Sequence, residues 1–319
     1  MSERGNTLLP FQHTNPDHSR LKKPRAARTA SVLLLAVGAL MFNAAPSDAA
    51  TATTVKVASY NVDSAWREVS QPEIPGWDSR AVGVKNVINT VRPDVIGLQE
   101  AQNIQVGSRY YTQASDIQRM TSYAMYQPAD ATSSRIPILW RGGLFEATAA
   151  GYKIFEFKPY PLYGRAMTWV KLRSRATATE FFVFNTHFEN GADGQAARNA
   201  EAAMLAAEIT RVNPGGLPAF VTGDFNASAT SSAPQTIQLN AIGYVDSYGR
   251  TAARMHPEFK TYNGYTLGAA GDAHIDQVFV AAGNVAVHYW ENWMPYGDQV
   301  VGGRAPSDHD LIYTVATIQ

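Results

Sequence analysis

Two kinds of apolar pattern alternate along the chain from residue 55 onward. Two long segments, 80–91 and 195–212, carry apolar residues at helical spacing, and Pro93 ends the first. Short runs rich in β-branched and aromatic residues predict strands at 55–60, 95–98, 136–140, 151–157, 167–172, 181–185, 217–221, 275–280, 285–288 and 311–318. Many short strands with few helices predict an α/β layered domain with more than one sheet.

The apolar run at 217–221 leads into two polar side chains, Asp224 and Asn226. Residues i and i+2 of an extended segment point to the same side, so the carboxylate and the amide are expected to face a common point. A second interpretation is a simple turn, because Asp and Asn are common turn residues. The rest of the chain has to separate the two interpretations.

The same pattern recurs at other predicted strands, where acids, His and Asn stand just before or after an apolar run. These residues are Asn61 after 55–60, Glu100 after 95–98, His187 after 181–185, Asp276 at the start of 275–280, and Asp308 with His309 before 311–318. With Asp224 and Asn226, this repetition favours one convergent site over a series of unrelated turns.

The residue types in this set indicate a chemistry. Carboxylate and amide oxygens are the ligands that a hard cation such as Mg²⁺ prefers, and a chain without Cys offers no structural zinc site of the usual kind. The motifs of zinc proteases, α/β-hydrolases and P-loop proteins are absent from the sequence. A divalent metal with two His and further carboxylates suits the attack of water on a phosphate ester.

Six segments carry a resemblance to a known family. The chain resembles the endonuclease/exonuclease/phosphatase superfamily, the deoxyribonuclease I-like group, as a secreted bacterial member. The matching segments follow the family's order and span nearly all of the chain after residue 57: ASYNV at 58–62, PDVIGLQE at 93–100, FNTHF at 184–188, VTGDFNA at 221–227, HIDQVFV at 274–280 and SDHDLI at 307–312. The resemblance implies a four-layer α/β sandwich, with two mixed β-sheets flanked by helices.

The resemblance also implies a role for each matching residue. Glu100 would be the main ligand of Mg²⁺ or Mn²⁺, with Asn61 beside it and a further contact from Asp308. His309, oriented by Asp276, would touch the phosphate or activate water. The remaining three roles are a general acid or phosphate ligand at His187, a water-orienting or proton-accepting carboxylate at Asp224, and an amide donor to the phosphate at Asn226.

The first 49 residues have the order of a secretory signal peptide with a polar N-terminal extension. A basic stretch at 20–28 precedes an uncharged apolar run at 29–42, which is too short to span a bilayer, and small residues follow. Cleavage after Ala49 or Ala52 would leave a single secreted domain, here taken as 50–319. That domain has three more acidic than basic residues, because residues 1–49 hold six of the 27 Lys and Arg but three of the 27 Asp and Glu.

Several functions stay open at this point. The first is a Mg²⁺-dependent nuclease or phosphodiesterase, the second a sphingomyelinase-like hydrolase of phospholipid or another phosphoesterase, and the third a degenerate family member that only binds. The aromatic segment 288–297 would stack on bases, anchor to lipid or simply pack in the fold. Arg165 is either a phosphate ligand or a surface residue. No obligate protein partner is implied.

Overall fold

The computed structural model describes residues 52–156 and 164–319. The signal-peptide prediction for residues 1–49 therefore lies outside the described residues. The α-helices in this part are α1 Arg67–Ser70, α2 Trp77–Val91, α3 Gln113–Thr121, α4 Gln195–Val212 and α5 Pro234–Ala241. The strands are β1 Thr53–Asn61, β2 Val95–Gln99, β3 Asn103–Val106, β4 Arg109–Thr112, β5 Ala124–Tyr126, β6 Ile138–Trp140, β7 Phe145–Phe155, β8 Arg165–Ser174, β9 Glu180–His187, β10 Ala219–Asp224, β11 Tyr244–Asp246, β12 Arg254–Met255, β13 Asp276–Ala281, β14 Val285–Trp293 and β15 Leu311–Ile318.

Two mixed sheets form the centre of the fold. The first has seven strands in the order β12-β14-β15-β1-β2-β6-β5, and the second has six in the order β11-β13-β10-β9-β8-β7. Within them β1 runs parallel to β2 and β9 parallel to β10, while most other neighbours are antiparallel. A separate hairpin joins β3 and β4. The predicted α/β class and the two mixed sheets are confirmed.

The layers follow from the two-sided burial of the strands. Val55 and Val57 of β1 point into a core between the sheets, and there they meet Val183 of β9 and Phe220 of β10. Alternate residues of β1 point the other way and pack with α2 and α3. The outer face of the second sheet packs in the same manner against α4 and α5. Helices therefore flank both sheets, which gives the four layers that the resemblance implied.

Hydrogen bonds between polar side chains connect the two sheets near the ends of β2 and β9. Asn185 of β9 donates its amide to the backbone oxygen of Leu98 at 2.7 Å, and its own oxygen accepts from Gln99 at 2.7 Å and from Thr222 at 3.0 Å. Gly97 allows this approach, because a Cβ there would overlap the side chains of Asn185 and Thr222. Asn185 is thus a structural link inside β9, while His187, two residues further on, is the last residue of that strand.

The two tryptophans of the aromatic segment 288–297 make packing and hydrogen-bond contacts within the fold. Trp290 is 1% exposed and packs edge-on against Tyr248, with ring centroids 4.9 Å apart. Trp293 donates its indole N–H to Gln299 at 2.9 Å. The packing interpretation is therefore the one that the structure supports for these two tryptophans. Among the described residues, no helix has both the length and the apolar character needed to cross a membrane.

Trp290→Ala should lower the thermal stability of the protein and leave its turnover rate unchanged. Removing a buried tryptophan costs about 3–5 kcal/mol, which is about 10 °C in Tm for a domain of this size. Tyr110→Ala is the matched control, because this ring is 63% exposed and its loss should leave Tm nearly unchanged. Thermal melts and assays below Tm give the two readouts. An unchanged Tm with reduced turnover would instead indicate that this segment contacts the substrate.

Candidate active site

The topology explains why polar residues far apart in sequence come together. Parallel pairing brings the ends of β1 and β2 to one edge, and it brings Asp224 of β10 opposite His187 of β9. Antiparallel pairing places Asp276, the first residue of β13, opposite Asp224. Because β15 is antiparallel to β1, the segment before β15 with His309 returns to the same edge. The carboxyl ends of the parallel strands are where α/β folds usually bind ligands.

Three residues next to these strand ends have a left-handed backbone conformation. Glu100, Asn226 and Asp63 have φ values of 58°, 48° and 50°, which are uncommon for residues other than glycine. Each follows the end of a strand and turns the chain sharply there. Such strain is often found at functional sites, where the surrounding structure holds it in place.

His309 and Asp276 form a buried hydrogen-bonded pair. Nδ1 of His309 lies 2.8 Å from Oδ2 of Asp276, and Nε2 lies 3.6 Å from Oδ2 of Asp224. Burial opposes a charged ring, but Asp276 and then Asp224 outweigh it and raise the pKa of His309 well above its ordinary value. The ring is therefore an imidazolium at neutral pH, with Asp276 fixing its orientation and Nε2 directed towards Asp224 and the amide of Asn61.

Asp224 is the carboxylate that links the two histidines. Its Oδ2 lies 3.4 Å from Nε2 of His187 and accepts a hydrogen bond of 3.1 Å from the amide of Asn61. Burial, with a smaller contribution from Asp276, raises the pKa of Asp224 to about 6, against the opposing effect of His309. A carboxylate with a pKa near 6 is a far better proton acceptor at neutral pH than an exposed one.

His187 and Asn226 form the other side of this group. The amide of Asn226 donates to the backbone oxygen of Phe188 at 2.9 Å and lies 3.1 Å from Nε2 of His187. Burial first, then the charges of Arg165 and His309, lowers the pKa of His187 well below its ordinary value. His187 is therefore neutral, and its Nε2 lies near both the amide of Asn226, at 3.1 Å, and the carboxylate of Asp224, at 3.4 Å.

Glu100 and Asn61 lie side by side as the resemblance implied. The amide N–H of Asn61 donates to Oε1 of Glu100 at 3.3 Å, while the backbone N–H of Ser64 reaches Oε2 at 3.2 Å. The Oδ1 of Asn61 accepts from the backbone N–H of Asp63 at 3.0 Å. In this arrangement Asn61 joins Glu100 to Asp224 through its amide group, and its role as a direct metal ligand stays a prediction.

Asp63 and Arg67 belong to the site, although sequence reasoning did not single them out. Arg67 contacts both Asp63, with Nε to Oδ2 at 3.1 Å, and Asp308, with Nη2 to Oδ2 at 3.0 Å. Burial, then the charges of Asp63 and Glu100, raise the pKa of Asp308 to about 7, against His309 and Arg67. The only available signal was an acid two residues after Asn61, in ASYNVD, and a single acid in a loop is too common to be informative.

The donor set fits a divalent cation at Glu100. The carboxylates of Asp63 and Asp308 share the guanidinium of Arg67, and Glu100 lies beside them in the same partly buried cluster, so the carboxylates outnumber the paired cation. In the part of the chain that the structure describes, Glu100 makes no ion pair of its own. All of these donors are oxygens, which suits Mg²⁺ or Mn²⁺.

A second group of side chains is an alternative site for the metal ion. One ligand atom each from Asp224, Asp276 and His309 lies within 4.8 Å of the others, so this trio also has metal-binding spacing. However, Nδ1 of His309 and Oδ2 of Asp276 are already hydrogen-bonded at 2.8 Å, which directs these atoms at each other rather than at a common ion. We therefore favour the Glu100 side for the metal and the trio for proton handling.

A cleft with a volume of about 550 Å³ borders one side of this group, and its described lining does not include Asp224, Asp276 or His309. Glu100 and His187 lie in its wall, together with Arg67, Arg135 and Arg165. Arg165 approaches Glu189 at 3.4 Å and borders the cleft near His187, so the structure places it at the site and not on a remote surface. Within the described residues, the cleft lining includes none of the aromatic residues of segment 288–297.

Comparison with known proteins agrees with this geometry. Residues 58–309 match the sequence profile of the Endonuclease/Exonuclease/phosphatase family. The chain belongs to this family. No curated protein sequence matches the chain significantly. The family's members are hydrolases of phosphoester bonds, typically dependent on a divalent metal.

Solved structures of this family share the fold. An endonuclease/exonuclease/phosphatase family protein from Bacteroides thetaiotaomicron superposes with a TM-score of 0.71 at 21% identity, over 84% of this chain and 96% of that one. The mannosyl-6-phosphatase Bt3783 of the same organism gives 0.69 at 21% identity, over 83% and 100%. The human Nocturnin catalytic domain, with a bound sulfate anion, gives 0.61 at 14% identity, over 83% and 94%. At these identities the likeness establishes the fold alone.

Proposed function

We propose that this family member is a secreted, Mg²⁺-dependent phosphodiesterase of the nuclease type, with Mn²⁺ able to replace Mg²⁺. The observation that carries the proposal is the position of Asp224, whose Oδ2 lies within 3.6 Å of both histidines and is bonded to Asn61 beside Glu100. A water-activating carboxylate, an imidazolium and a metal-type carboxylate are thus joined by short contacts, and Glu100 and His187 of this group line the cleft. The complete set argues against a degenerate member that only binds. Secretion is supported by the order of residues in 1–49.

Each residue of the site has a separate role in the proposed hydrolysis of the phosphodiester. Asp224 accepts a proton from the attacking water, for which a pKa of about 6 is suitable. His309, held by Asp276 and protonated, donates from Nε2 to an oxygen of the phosphate as negative charge builds up. A divalent cation at Glu100 supplies the remaining neutralisation of that charge when bound. His187, neutral and held by Asn226, presents a hydrogen-bonding ring beside the same oxygens.

The shape of the cleft favours a compact substrate. A volume of about 550 Å³ is typical of sites for small molecules rather than of a groove that follows a long polymer. Trp66 lies in the cleft wall and is 51% exposed, so its face is available for stacking on a flat leaving group such as a nucleobase. The net acidic charge of residues 50–319 disfavours tight binding to long nucleic acids. We therefore place a phosphodiester of nucleotide size ahead of long DNA or RNA and of phospholipid.

A phosphomonoesterase is the second candidate, because Arg135 and Arg165 both lie close enough to His187 to lower its pKa. Two guanidinium groups beside the reacting centre suit the double charge of a terminal phosphate. A mannosyl-6-phosphatase also stands among the proteins of similar fold, although that likeness concerns the fold alone.

Initial rates with Mg²⁺ on two chromogenic esters separate the candidates. We expect a higher kcat/KM for bis-p-nitrophenyl phosphate than for p-nitrophenyl phosphate, and little turnover of sphingomyelin vesicles. Arg165→Met should raise KM for either ester by about 10-fold or more, the value of one charge-assisted hydrogen bond. Arg173→Met is the control, since this arginine lies further along the same strand and pairs with Glu146 at the surface. Preference for the monoester would replace the first candidate by the second.

A further inference from the structure

Arg67 holds a guanidinium between two buried carboxylates at the edge of the acidic cluster. Its Nε lies 3.2 Å from Oδ1 and 3.1 Å from Oδ2 of Asp63, and its Nη2 lies 3.0 Å from Oδ2 of Asp308. Asp63 and Asp308 are 1% and 4% exposed. Arg67 comes from α1, whereas Asp308 comes from the segment before β15, so this contact joins distant parts of the chain.

The acidic cluster consists of Asp63, Glu100 and Asp308. Its two ends differ in whether a cationic side chain hydrogen-bonds the carboxylate, and we call them the satisfied and the unsatisfied end. At the satisfied end, Oδ2 of Asp63 accepts from Arg67 and also from the hydroxyl of Tyr265. At the other end, the described partners of Glu100 are uncharged groups, the amide of Asn61 and the backbone N–H of Ser64. Within residues 52–156 and 164–319, a cationic side chain therefore hydrogen-bonds the carboxylate at the Asp63 end, whereas Glu100 has no cationic hydrogen-bond partner.

We propose that Arg67 takes the place of a second metal ion and confines the site to a single divalent cation at Glu100. This inference rests on the proposed function, which places the metal there. A guanidinium stays charged at every physiological pH and binds carboxylates through parallel N–H groups, so it keeps a permanent positive charge between Asp63 and Asp308. A second divalent cation between these two carboxylates would meet that fixed positive charge at close range.

Manganese binding to the full-length protein tests this inference without any assay of activity. The free Mn²⁺ signal in electron paramagnetic resonance, together with calorimetric titration, gives the number of ions per chain. We expect one tightly bound ion in the unaltered protein and two in Arg67→Met, where Asp63 and Asp308 lose their cation. Arg67→Gln serves as a second uncharged variant if the first does not fold, and it should also bind two ions. Arg67→Lys keeps the charge and should bind one.

Two further variants show where the ions lie. Arg141→Met removes a comparable arginine, paired with Asp94 at 3.1 Å, that has no part in the cleft, and it should still bind one ion. Glu100→Gln should remove the single tight ion from the otherwise unaltered protein. An unaffected ion in Glu100→Gln would locate the metal elsewhere, for example among Asp224, Asp276 and His309, and would overturn the inference.

The remaining outcomes separate the inference from the proposed function. Two ions in the unaltered protein, or one ion in a folded Arg67→Met or Arg67→Gln variant, would refute the role of Arg67 while leaving a metal-dependent enzyme intact. No bound Mn²⁺ in the unaltered protein would refute the metal itself, and the inference would fall with it.

Discussion

His309→Ala is expected to lower kcat on bis-p-nitrophenyl phosphate by about 10²- to 10⁴-fold, the range for a single acid–base group. The loss is large because Nε2 of His309 is the charged donor closest to Asp224, at 3.6 Å, and alanine leaves no substitute. KM and the Mg²⁺ requirement should change little, since neither depends on this ring. His288→Ala is the matched control, because this histidine is exposed on β14, and its turnover should stay unchanged.

The hydrogen bond between His309 and Asp276 determines how the effects of the two substitutions on kcat combine. Asp276→Asn alone should lower kcat less than His309→Ala does, because the ring remains while its orientation and charge are less well held. In the His309→Ala background, Asp276→Asn should add almost nothing, since there is no ring left to orient. If the double variant shows the two single losses multiplied, the residues act independently and the hydrogen bond of 2.8 Å does not join them in one function.

Glu100→Gln is expected to raise the Mg²⁺ concentration for half-maximal rate by at least about 10-fold, as the loss of a charged group at a metal centre usually does. Glutamine keeps the size of the side chain and the hydrogen bond to Ser64, but it lacks the charge that attracts the cation. The left-handed backbone at residue 100 is retained, so Tm should stay close to that of the unaltered protein. Glu146→Gln, at a surface ion pair with Arg173, should leave the Mg²⁺ titration unchanged. An unchanged titration for Glu100→Gln would remove this residue from the metal centre.

The strand ends were predictable because they repeat one simple rule. Apolar runs buried on both faces give strong strand signals, and parallel neighbours bring their carboxyl ends to one edge. For this reason Glu100, His187 and Asp224 could be assigned to one site before any geometry was known, and the structure does place them at one edge of the sheets. The same reasoning selected Asp276 and His309, whose hydrogen bond then appeared at 2.8 Å.

The short elements could not be predicted in the same way. Strands of two or three residues, such as β5, β11 and β12, carry too few positions for a period to be visible, and their pairing with distant strands decides them. The hairpin β3–β4 and helix α3 were also missed, because tertiary contacts with α2 stabilise them more than local propensity does. The longer helix α2 was predicted, but it begins at Trp77 instead of residue 80.

Asp63 and Arg67 are the residues of the site that the sequence did not predict. Their importance comes from a left-handed turn after β1 and from a contact with Asp308, which lies 241 residues away from Arg67. No spacing rule along the sequence reports such a contact. Trp290 is a different case, because base stacking, lipid anchoring and packing were all open for its aromatic segment, and the fold buries this ring.

The most direct test of the account is the rate of bis-p-nitrophenyl phosphate hydrolysis by protein that has been dialysed against EDTA. We predict that the rate falls to the uncatalysed background, and that adding Mg²⁺ or Mn²⁺ restores it, because the carboxylates around Glu100 outnumber their paired cation and suit a divalent ion. Tm measured before and after dialysis should show that the fold survives the loss of the metal. Undiminished turnover in excess EDTA would contradict the central claim that this site is a metal-dependent phosphoesterase.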